Sequence, residues 1–461
     1  MYYINPSVMN IEISSIKKQT NSKTLKFYIH TFGCQMNEND SERIGGILTQ
    51  IGAQKSNSLE NSNLIIVNTC AVRQKSEEKL FSFLGRLAQM KKRKNLIIGV
   101  VGCVVQLHGT LLLEKNSYVD FVLGPDNYSD LNQVILKHLG EKFMSTSWSR
   151  EWKETPSEHI LRENDISAYV TIMEGCNNFC SYCIVPFTRG REKFRPFPNI
   201  VQEVKDLALN GFKEVQLLGQ NVNSYRDPIS GKDFSALLRE LNDIPGIEWI
   251  RFITSHPKNF TQDIALAMKE GEKICHQLHL PLQSGSSSVL KRMNRGYARQ
   301  EYLEKINLLQ DLMPDISLST DIIVGFPGET EKEFQEILKT LEEVRFTNIF
   351  SFRYSRRPLT AASRMKDDVP FKVKKRRLIE VQELQKEIQL KKNKILIGRV
   401  MKVLCLGKSK KDPQIFSGRN EGFQVVNFKS RKDLTGEFAT VLITSCGPHS
   451  LQGEASDNLA F

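Results

Sequence analysis

Short apolar runs alternate with longer amphipathic stretches through the first third of the chain. The runs at 25–29, 63–67 and 96–101 are rich in β-branched residues, and each is followed by a loop and a helix-like stretch. Apolar runs of this length predict buried strands, and their alternation with helices predicts parallel βα units. We therefore predict an open parallel sheet with helices on its faces, in a domain that covers residues 24–144.

The same alternation resumes after a polar stretch, 145–165, which we interpret as a linker. Six further strands are predicted at 169–173, 214–218, 249–253, 277–280, 316–323 and 348–354. Helical patterns fill the intervals between them. Six consecutive βα units predict a parallel sheet that curls into a partial barrel, with its chemistry at the carboxyl ends of the strands. This second domain covers residues 166–391.

The pattern changes again at residue 392. Four short strands, separated by turns of Gly, Pro, Asn and Asp, are predicted at 398–405, 414–416, 424–428 and 438–444. They indicate a small all-β barrel over 392–461, and barrels of this size bind nucleic acids along a basic face. The predicted fold class is thus α/β: an N-terminal open parallel-sheet domain, a central partial (βα)6 barrel and a C-terminal small all-β barrel.

Composition narrows the class of protein. A chain of 461 residues predicts two or three domains, and no run approaches the roughly 18 apolar residues of a membrane span. Residues 1–23 lack an apolar signal core, so we expect a disordered leader, no membrane association and a cytoplasmic location. Nine cysteines are an odd number, which fits metal ligation in a reducing compartment better than a disulfide framework. We interpret Cys275, Cys405 and Cys446 as small buried hydrophobic residues.

Positive charge is concentrated toward the end of the chain. The net charge is +12, from 64 basic and 52 acidic residues, and residues 391–461 contribute 12 basic minus 6 acidic, or +6. A basic surface attracts phosphate, so this distribution predicts a nucleic-acid partner. Just upstream, Lys374, Lys375, Arg376 and Arg377 are candidate RNA contacts. A solvated helix face is the open alternative for that run.

Cys176, Cys180 and Cys183 form a Cys-x3-Cys-x2-Cys cluster. A structural zinc or an electron-transfer cluster requires four protein ligands, and no fourth ligand is present locally. Three thiolates at this spacing suit a [4Fe-4S] cluster with one iron open to a substrate or cofactor. An incomplete zinc knuckle and chance spacing are the alternatives.

A second group of three cysteines is predicted from topology. Cys34, Cys70 and Cys103 each lie in the loop after one of the first three strands. In an open parallel sheet these loops line one crevice, so we expect the three thiols to converge although they are far apart in sequence. The alternative is that they are three isolated buried residues.

The cluster loop at 174–190 resembles that of the radical S-adenosylmethionine (SAM) enzymes. The segments 31–37, 68–70, 102–103, 279–285 and 319–330 occur in the order seen in the methylthiotransferases of that superfamily. The loops that contain Cys34 and Cys176 are similar to the MiaB-type branch, which modifies tRNA, rather than to the branch that modifies a ribosomal protein. The terminal barrel resembles the TRAM domain. One departure is Leu359, where the family usually has Gly.

The resemblance implies conversion of isopentenyladenosine at tRNA position 37 to its 2-methylthio derivative. The implied cofactors are SAM and two [4Fe-4S] clusters, one on each group of three cysteines. The implied partners are tRNA, a reductant of the flavodoxin or ferredoxin type and a sulfur donor, and we expect a monomer. The alternatives are the same chemistry on threonylcarbamoyladenosine or on a ribosomal protein, and, more distantly, a non-catalytic iron–sulfur RNA-binding protein.

Other candidate contacts carry weaker signals. Gln283 and Ser284, in a loop after a strand, and Asp321, at a predicted strand end, are candidates to bind SAM, with ordinary loop polarity or a turn carboxylate as the alternatives. Arg189 and Arg191 flank the cluster loop and are candidates to contact a tRNA phosphate or the SAM carboxylate. The sequence does not decide between those two roles.

Overall fold

The computed structural model describes residues 25–71, 74–137 and 141–455, so the leader predicted for residues 1–23 lies outside the described residues. The chain forms two compact units. The first comprises Met1–Glu163, Met173–Asn177 and Cys183–Arg195, and the second comprises Asn164–Ile172, Asn178–Tyr182 and Pro196–Phe461. Among the described residues, no helix is long and apolar enough to cross a membrane.

The first unit is built on a six-stranded parallel sheet. Its strands are β1 (Lys26–Phe32), β2 (Gln54–Lys55), β3 (Leu64–Thr69), β4 (Ile97–Val101), β5 (Phe121–Leu123) and β6 (Phe143–Ser145), in the order β2-β1-β3-β4-β5-β6. Its helices are α1 (Gln35–Gln50), α2 (Gln74–Lys91), α3 (Cys103–Lys115) and α4 (Leu131–Lys137). Strand β3 is buried along its whole length, and its alternate residues enter two separate cores. The near-continuous apolar pattern of the strand follows from this two-sided burial.

The strand predicted at 169–173 is two elements. Strand β7 (Ser167–Thr171) belongs to the second unit, whereas β8 (Met173–Glu174) belongs to the first and pairs antiparallel with β9 (Lys193–Phe194). The cluster loop therefore lies between β8 and β9 and does not follow β7 directly.

The second unit contains the remaining parallel strands. They are β10 (Glu214–Leu218), β11 (Trp249–Phe252), β12 (Gln277–His279), β13 (Ser317–Val324) and β14 (Asn348–Arg353). The helices are α5 (Phe197–Leu209), α6 (Phe234–Asn242), α7 (Gln262–Glu270), α8 (Ser287–Arg292), α9 (Arg299–Leu312), α10 (Glu331–Val344) and α11 (Phe371–Lys394). The strands form two parallel sheets, β11-β10-β7 and β12-β13-β14, and a parallel bridge between Ile250 and Ile274 joins them in chain order.

The last part of the chain is a closed five-stranded barrel. Its strands are β15 (Val400–Lys408), β16 (Phe416–Asn420), β17 (Val425–Lys429), β18 (Phe438–Cys446) and β19 (Leu451–Ala455). Four were predicted, and β19, which closes the barrel between β17 and β18, was not. The predicted fold class of two α/β parts followed by a small all-β barrel is confirmed.

Arg251 of β11 attaches the barrel to the βα part of the second unit. Its guanidinium is buried, bonds the carboxylate of Glu214 at 2.6 Å, and donates to the carbonyl oxygens of Asn420 (2.9 Å) and Glu421 at the turn after β16. Trp249 packs edge-on against Phe438 of the barrel at 4.8 Å between ring centroids. The barrel is thus fixed by a buried cation that its own backbone carbonyls help to satisfy.

Candidate metal centre

The thiols of Cys34, Cys70 and Cys103 lie at the carboxyl edge of the first sheet, as the topology predicted. Cys34 precedes α1 as its N-cap, Cys70 follows β3, and Cys103 is the first residue of α3. The side chains of Cys34 and Cys70 are hydrogen-bonded. Cys70 and Cys103 are buried. We call these three residues the three-thiol site.

The three-thiol site favours a thiolate at Cys34. A hydrogen bond with Cys70 lowers the pKa of Cys34 to about 6; burial opposes this shift, and the charge of Arg189 and the backbone N–H groups of Asn37 and Met36 add to it. Those N–H groups belong to the first turn of α1, where unpaired donors and the helix dipole favour an anion. Since the thiolate is the form that binds a metal, this environment suits a ligand.

Two asparagines that the sequence analysis did not single out support the site. The Nδ2 atom of Asn37 donates to Oδ1 of Asn68 at 3.1 Å, and Nδ2 of Asn68 donates back to the Asn37 carbonyl at 2.8 Å. Both side chains are fully buried. They join the first turn of α1, next to Cys34, to the end of β3 before Cys70. Their fixed spacing, three residues after one cysteine and two before the next, was the available signal.

The backbone just before the third cysteine adopts a conformation that favours glycine, and Gly102 occupies this position. Its φ of +96° is a backbone conformation that other residues rarely adopt. A Cβ atom there would lie 2.5 Å from Oδ1 of Asn68 and 2.7 Å from the carbonyl oxygen of Thr69. A larger residue would therefore displace the asparagine pair that orders the site.

Arg189 has a different environment from the predicted one. It is 3% exposed, forms a forked ion pair with Asp40, and donates from Nε to Sγ of Cys103 at 3.2 Å. The Tyr128 hydroxyl donates to Asp40 at 3.1 Å, and burial raises the pKa of Tyr128 well above its usual value, so it remains a donor. Buried in this way, Arg189 is not available to a tRNA phosphate. Arg191 is exposed.

The cysteines of the cluster loop are divided between the two units. Cys176 and Cys183 belong to the first unit and Cys180 to the second. Within the second unit, Arg295 donates to Sγ of Cys180 at 3.2 Å and to the Pro281 carbonyl at 2.7 Å. The Ser181 amide, next to Cys180, donates to the Met293 carbonyl at 2.9 Å. A buried guanidinium therefore contacts this sulfur too.

The candidate SAM contacts lie near one another on β13 and the loop before α8. Asp321 is within β13 and not at its end, and its carboxylate lies 3.5 Å from His279. The Gln283 amide donates to the Asp321 carbonyl at 2.8 Å, with φ of +73° at Gln283. Ser284 is fully buried and accepts a hydrogen bond from the Ser286 amide, so its hydroxyl caps a local turn.

The basic run at the start of α11 is divided by burial. Lys374 and Arg377 are buried, and they bind Asp367 at 2.6 Å and Glu329 at 2.8 Å respectively. The predicted RNA contacts by these two side chains are thus corrected: they hold α11 against the loops of the second unit. Lys375 and Arg376 are exposed, although Arg376 pairs with Glu331 and Glu380.

Models of three families match the chain: the radical SAM superfamily over residues 170–341, the uncharacterized protein family UPF0004 over 26–124, and the TRAM domain over 394–456. The similar solved structures include the radical SAM methyltransferase TsrM from Kitasatospora setae, with a TM-score of 0.55 and 12% identity, covering 82% of this chain and 77% of that one. That likeness concerns the fold alone. Fold and family matches together define a radical SAM enzyme, a class that uses SAM and a [4Fe-4S] cluster.

Curated relatives identify the family within the radical SAM enzymes to which the chain belongs. A tRNA-2-methylthio-N(6)-dimethylallyladenosine synthase of Acetivibrio thermocellus is 42% identical, covering 98% of this chain and 97% of its own length. The synthase of that name from Clostridium botulinum (strain Langeland) is 45% identical, covering 93% and 96%. The chain belongs to the family of tRNA-2-methylthio-N(6)-dimethylallyladenosine synthases.

Proposed function

We propose that the chain catalyses radical SAM-dependent methylthiolation of carbon 2 of isopentenyladenosine at position 37 of tRNA. The observation that carries this proposal is similarity to synthases of that name over almost the whole chain, which also contains a radical SAM match and the three-thiol site. The hydrogen on adenine carbon 2 is not acidic, so acid–base catalysis at neutral pH does not remove it, whereas radical chemistry does.

We assign one [4Fe-4S] cluster to Cys176, Cys180 and Cys183 and a second to Cys34, Cys70 and Cys103. No three His, Cys, Asp or Glu side chains in the described ranges are arranged to hold a single metal ion. A cluster makes a different demand, because each thiolate binds a different iron and the ligands stand farther apart. The lowered pKa of Cys34 and the N–H···S bond from Arg189 fit an anionic cluster at the three-thiol site.

Cys176, Cys180 and Cys183 would hold the cluster that provides the electron for SAM cleavage, and Cys34, Cys70 and Cys103 would hold the cluster that carries the sulfur, with a second SAM as the source of the methyl group. The protein binds and orients these groups. Gln283 and Asp321 are our candidates to contact SAM, and Arg191, Lys375 and Arg376 to contact tRNA. The flavodoxin- or ferredoxin-type reductant, the sulfur donor, the cytoplasmic location and the monomeric state stay predictions.

The test uses tRNA from a strain that lacks the methylthiolation activity and protein reconstituted anaerobically with iron and sulfide. Mass spectrometry of hydrolysed tRNA should find 2-methylthio-isopentenyladenosine, and tRNA that carries threonylcarbamoyladenosine should remain unchanged. Replacing Cys34, Cys70 and Cys103 together by Ala should leave SAM cleavage to 5′-deoxyadenosine intact and abolish the methylthiolated nucleoside. Normal methylthiolation by that variant would refute the assignment of the second cluster.

A further inference from the structure

We propose that Arg189 is a positioning residue of the three-thiol site, and that its contact with Cys103 sets the reduction potential of the cluster held there. This inference rests on the proposed function, which assigns a [4Fe-4S] cluster to Cys34, Cys70 and Cys103. The ligand concerned is thus the cluster, and Arg189 acts on it through the sulfur of Cys103.

The geometry directs one specific N–H group at the sulfur. The two terminal nitrogens of Arg189 bind the carboxylate of Asp40, and this fork fixes the plane of the guanidinium. The remaining Nε–H then points at Sγ of Cys103, 3.2 Å away. Tyr128 holds Asp40 from its other side at 3.1 Å. All three partners of this network are buried, so water does not compete for the donor.

Anchoring of the segment Cys183–Arg195 does not require this sulfur contact. Lys193, four residues before α5 begins at Phe197, binds the carboxylates of Asp126 and, at 3.6 Å, Glu174. Both ion pairs are buried within the first unit. A residue needed only to hold the segment would resemble Lys193, whereas Arg189 adds a donor to a candidate metal ligand.

The physical consequence is a shift in potential. Hydrogen bonds to cluster sulfurs and nearby charge are among the factors that set iron–sulfur potentials. The guanidinium of Arg189 contacts the sulfur of Cys103, and the carboxylate of Asp40 lies farther away, on the other side of the guanidinium. The nearer positive charge therefore stabilises the reduced cluster, which is the more negative form. Removing the pair should therefore make the potential more negative.

The experiment isolates the second cluster in the full-length chain. Cys176, Cys180 and Cys183 are replaced by Ala, the protein is reconstituted anaerobically with iron and sulfide, and the midpoint potential is measured by a redox titration followed by electron paramagnetic resonance. The pair Arg189→Gln with Asp40→Asn is compared with Lys193→Gln with Asp126→Asn, a matched control that removes a buried ion pair from the same segment. Both partners are replaced together so that no buried charge is left alone.

We expect the Arg189–Asp40 pair variant to retain iron and shift to a more negative potential, and the Lys193–Asp126 control to match its parent. Arg189→Lys, which keeps the charge, should lie closer to the parent than the neutral pair does. Loss of the cluster from the Arg189–Asp40 variant alone, with native circular dichroism, would show that the pair is needed to hold the cluster and would overturn its role in setting the potential. Equal shifts in both pairs, no shift, loss of iron from both, or a lysine variant as shifted as the neutral pair would overturn it. A parent without iron would instead refute the second cluster itself, and the inference with it.

Discussion

The backbone φ angle of Leu359 predicts how much a substitution at this position changes the stability of the protein. It follows Pro358 in the turn after β14, has φ of +66°, and is 58% exposed. A proline followed by a residue with positive φ is the pattern of a type II turn, which favours Gly at the second of these positions. The resemblance places Gly at this position, and the structure keeps the left-handed conformation despite the leucine.

Replacing Leu359 by Gly should stabilise the protein. The left-handed conformation costs a residue with a Cβ atom roughly 1–2 kcal/mol, and Gly avoids this cost. Gly also lowers the stability by about 0.4–1 kcal/mol, because it increases the entropy of the unfolded chain. The expected net gain is about 0.5–1 kcal/mol, because the side chain is mostly exposed and little packing is lost.

The assay is urea unfolding of the Leu359→Gly and Leu359→Ala variants beside the parent. Alanine is the matched control, since it removes the same side chain but keeps the Cβ atom and hence the backbone strain. The Gly variant should have the higher unfolding midpoint of the two, with an unchanged slope. If Ala stabilises as much as Gly, exposure of leucine and not its φ angle is the cause, and the reasoning is refuted.

Two further predictions concern charged side chains of the second unit. Burial acts to raise the pKa of Glu333, but hydrogen bonds from Arg292 and Ser288 outweigh it and lower the pKa to about 2 from its usual 4.5. Because the folded-state pKa is the lower one, Glu333→Gln should cost about 1 kcal/mol in unfolding free energy at pH 7, an effect that shrinks as the pH falls from 4.5 toward 2 in urea unfolding of the variant and the parent. Arg251→Met should cost about 3–5 kcal/mol by leaving the buried Glu214 without its cation, and adding Glu214→Gln should recover part of it; equal urea midpoints for the single variant and the parent would contradict this.

Local patterns predicted most of the fold because they report burial directly. The wholly buried β3, apolar in its first four residues, and the alternating β13 each follow from the faces that they bury. Strand β19 was missed because Leu451–Ala455 contains Gly, Gln and Glu, and only its pairing with β17 and β18 makes it a strand. Its conformation depends on closure of the barrel, which no window of the sequence contains.

The candidate site was predictable where topology alone places a residue. Three loops after neighbouring parallel strands must share an edge, so Cys34, Cys70 and Cys103 could be grouped in advance. Lys374 and Arg377 were predicted to contact RNA because the prediction considered the charge of the run 374–377 and not the positions of its residues around the helix. Lys374 and Arg377 are spaced to share a face with Val381, and all three are buried.

The pairing of Arg189 with Asp40 and Cys103 could not be predicted, because the partners are 149 and 86 residues away and no pattern marks them. Its consequence is physical. The segment that follows Cys183 belongs to the first unit, and in it a cation contacts a thiol of the three-thiol site. A change at Arg189 should therefore alter the three-thiol site even though the residue was recognised as part of the other cysteine motif. Arg189 thus belongs by sequence to the loop of Cys176, Cys180 and Cys183, but its side chain contacts the three-thiol site. The reduction potential of the cluster at the three-thiol site tests that contact.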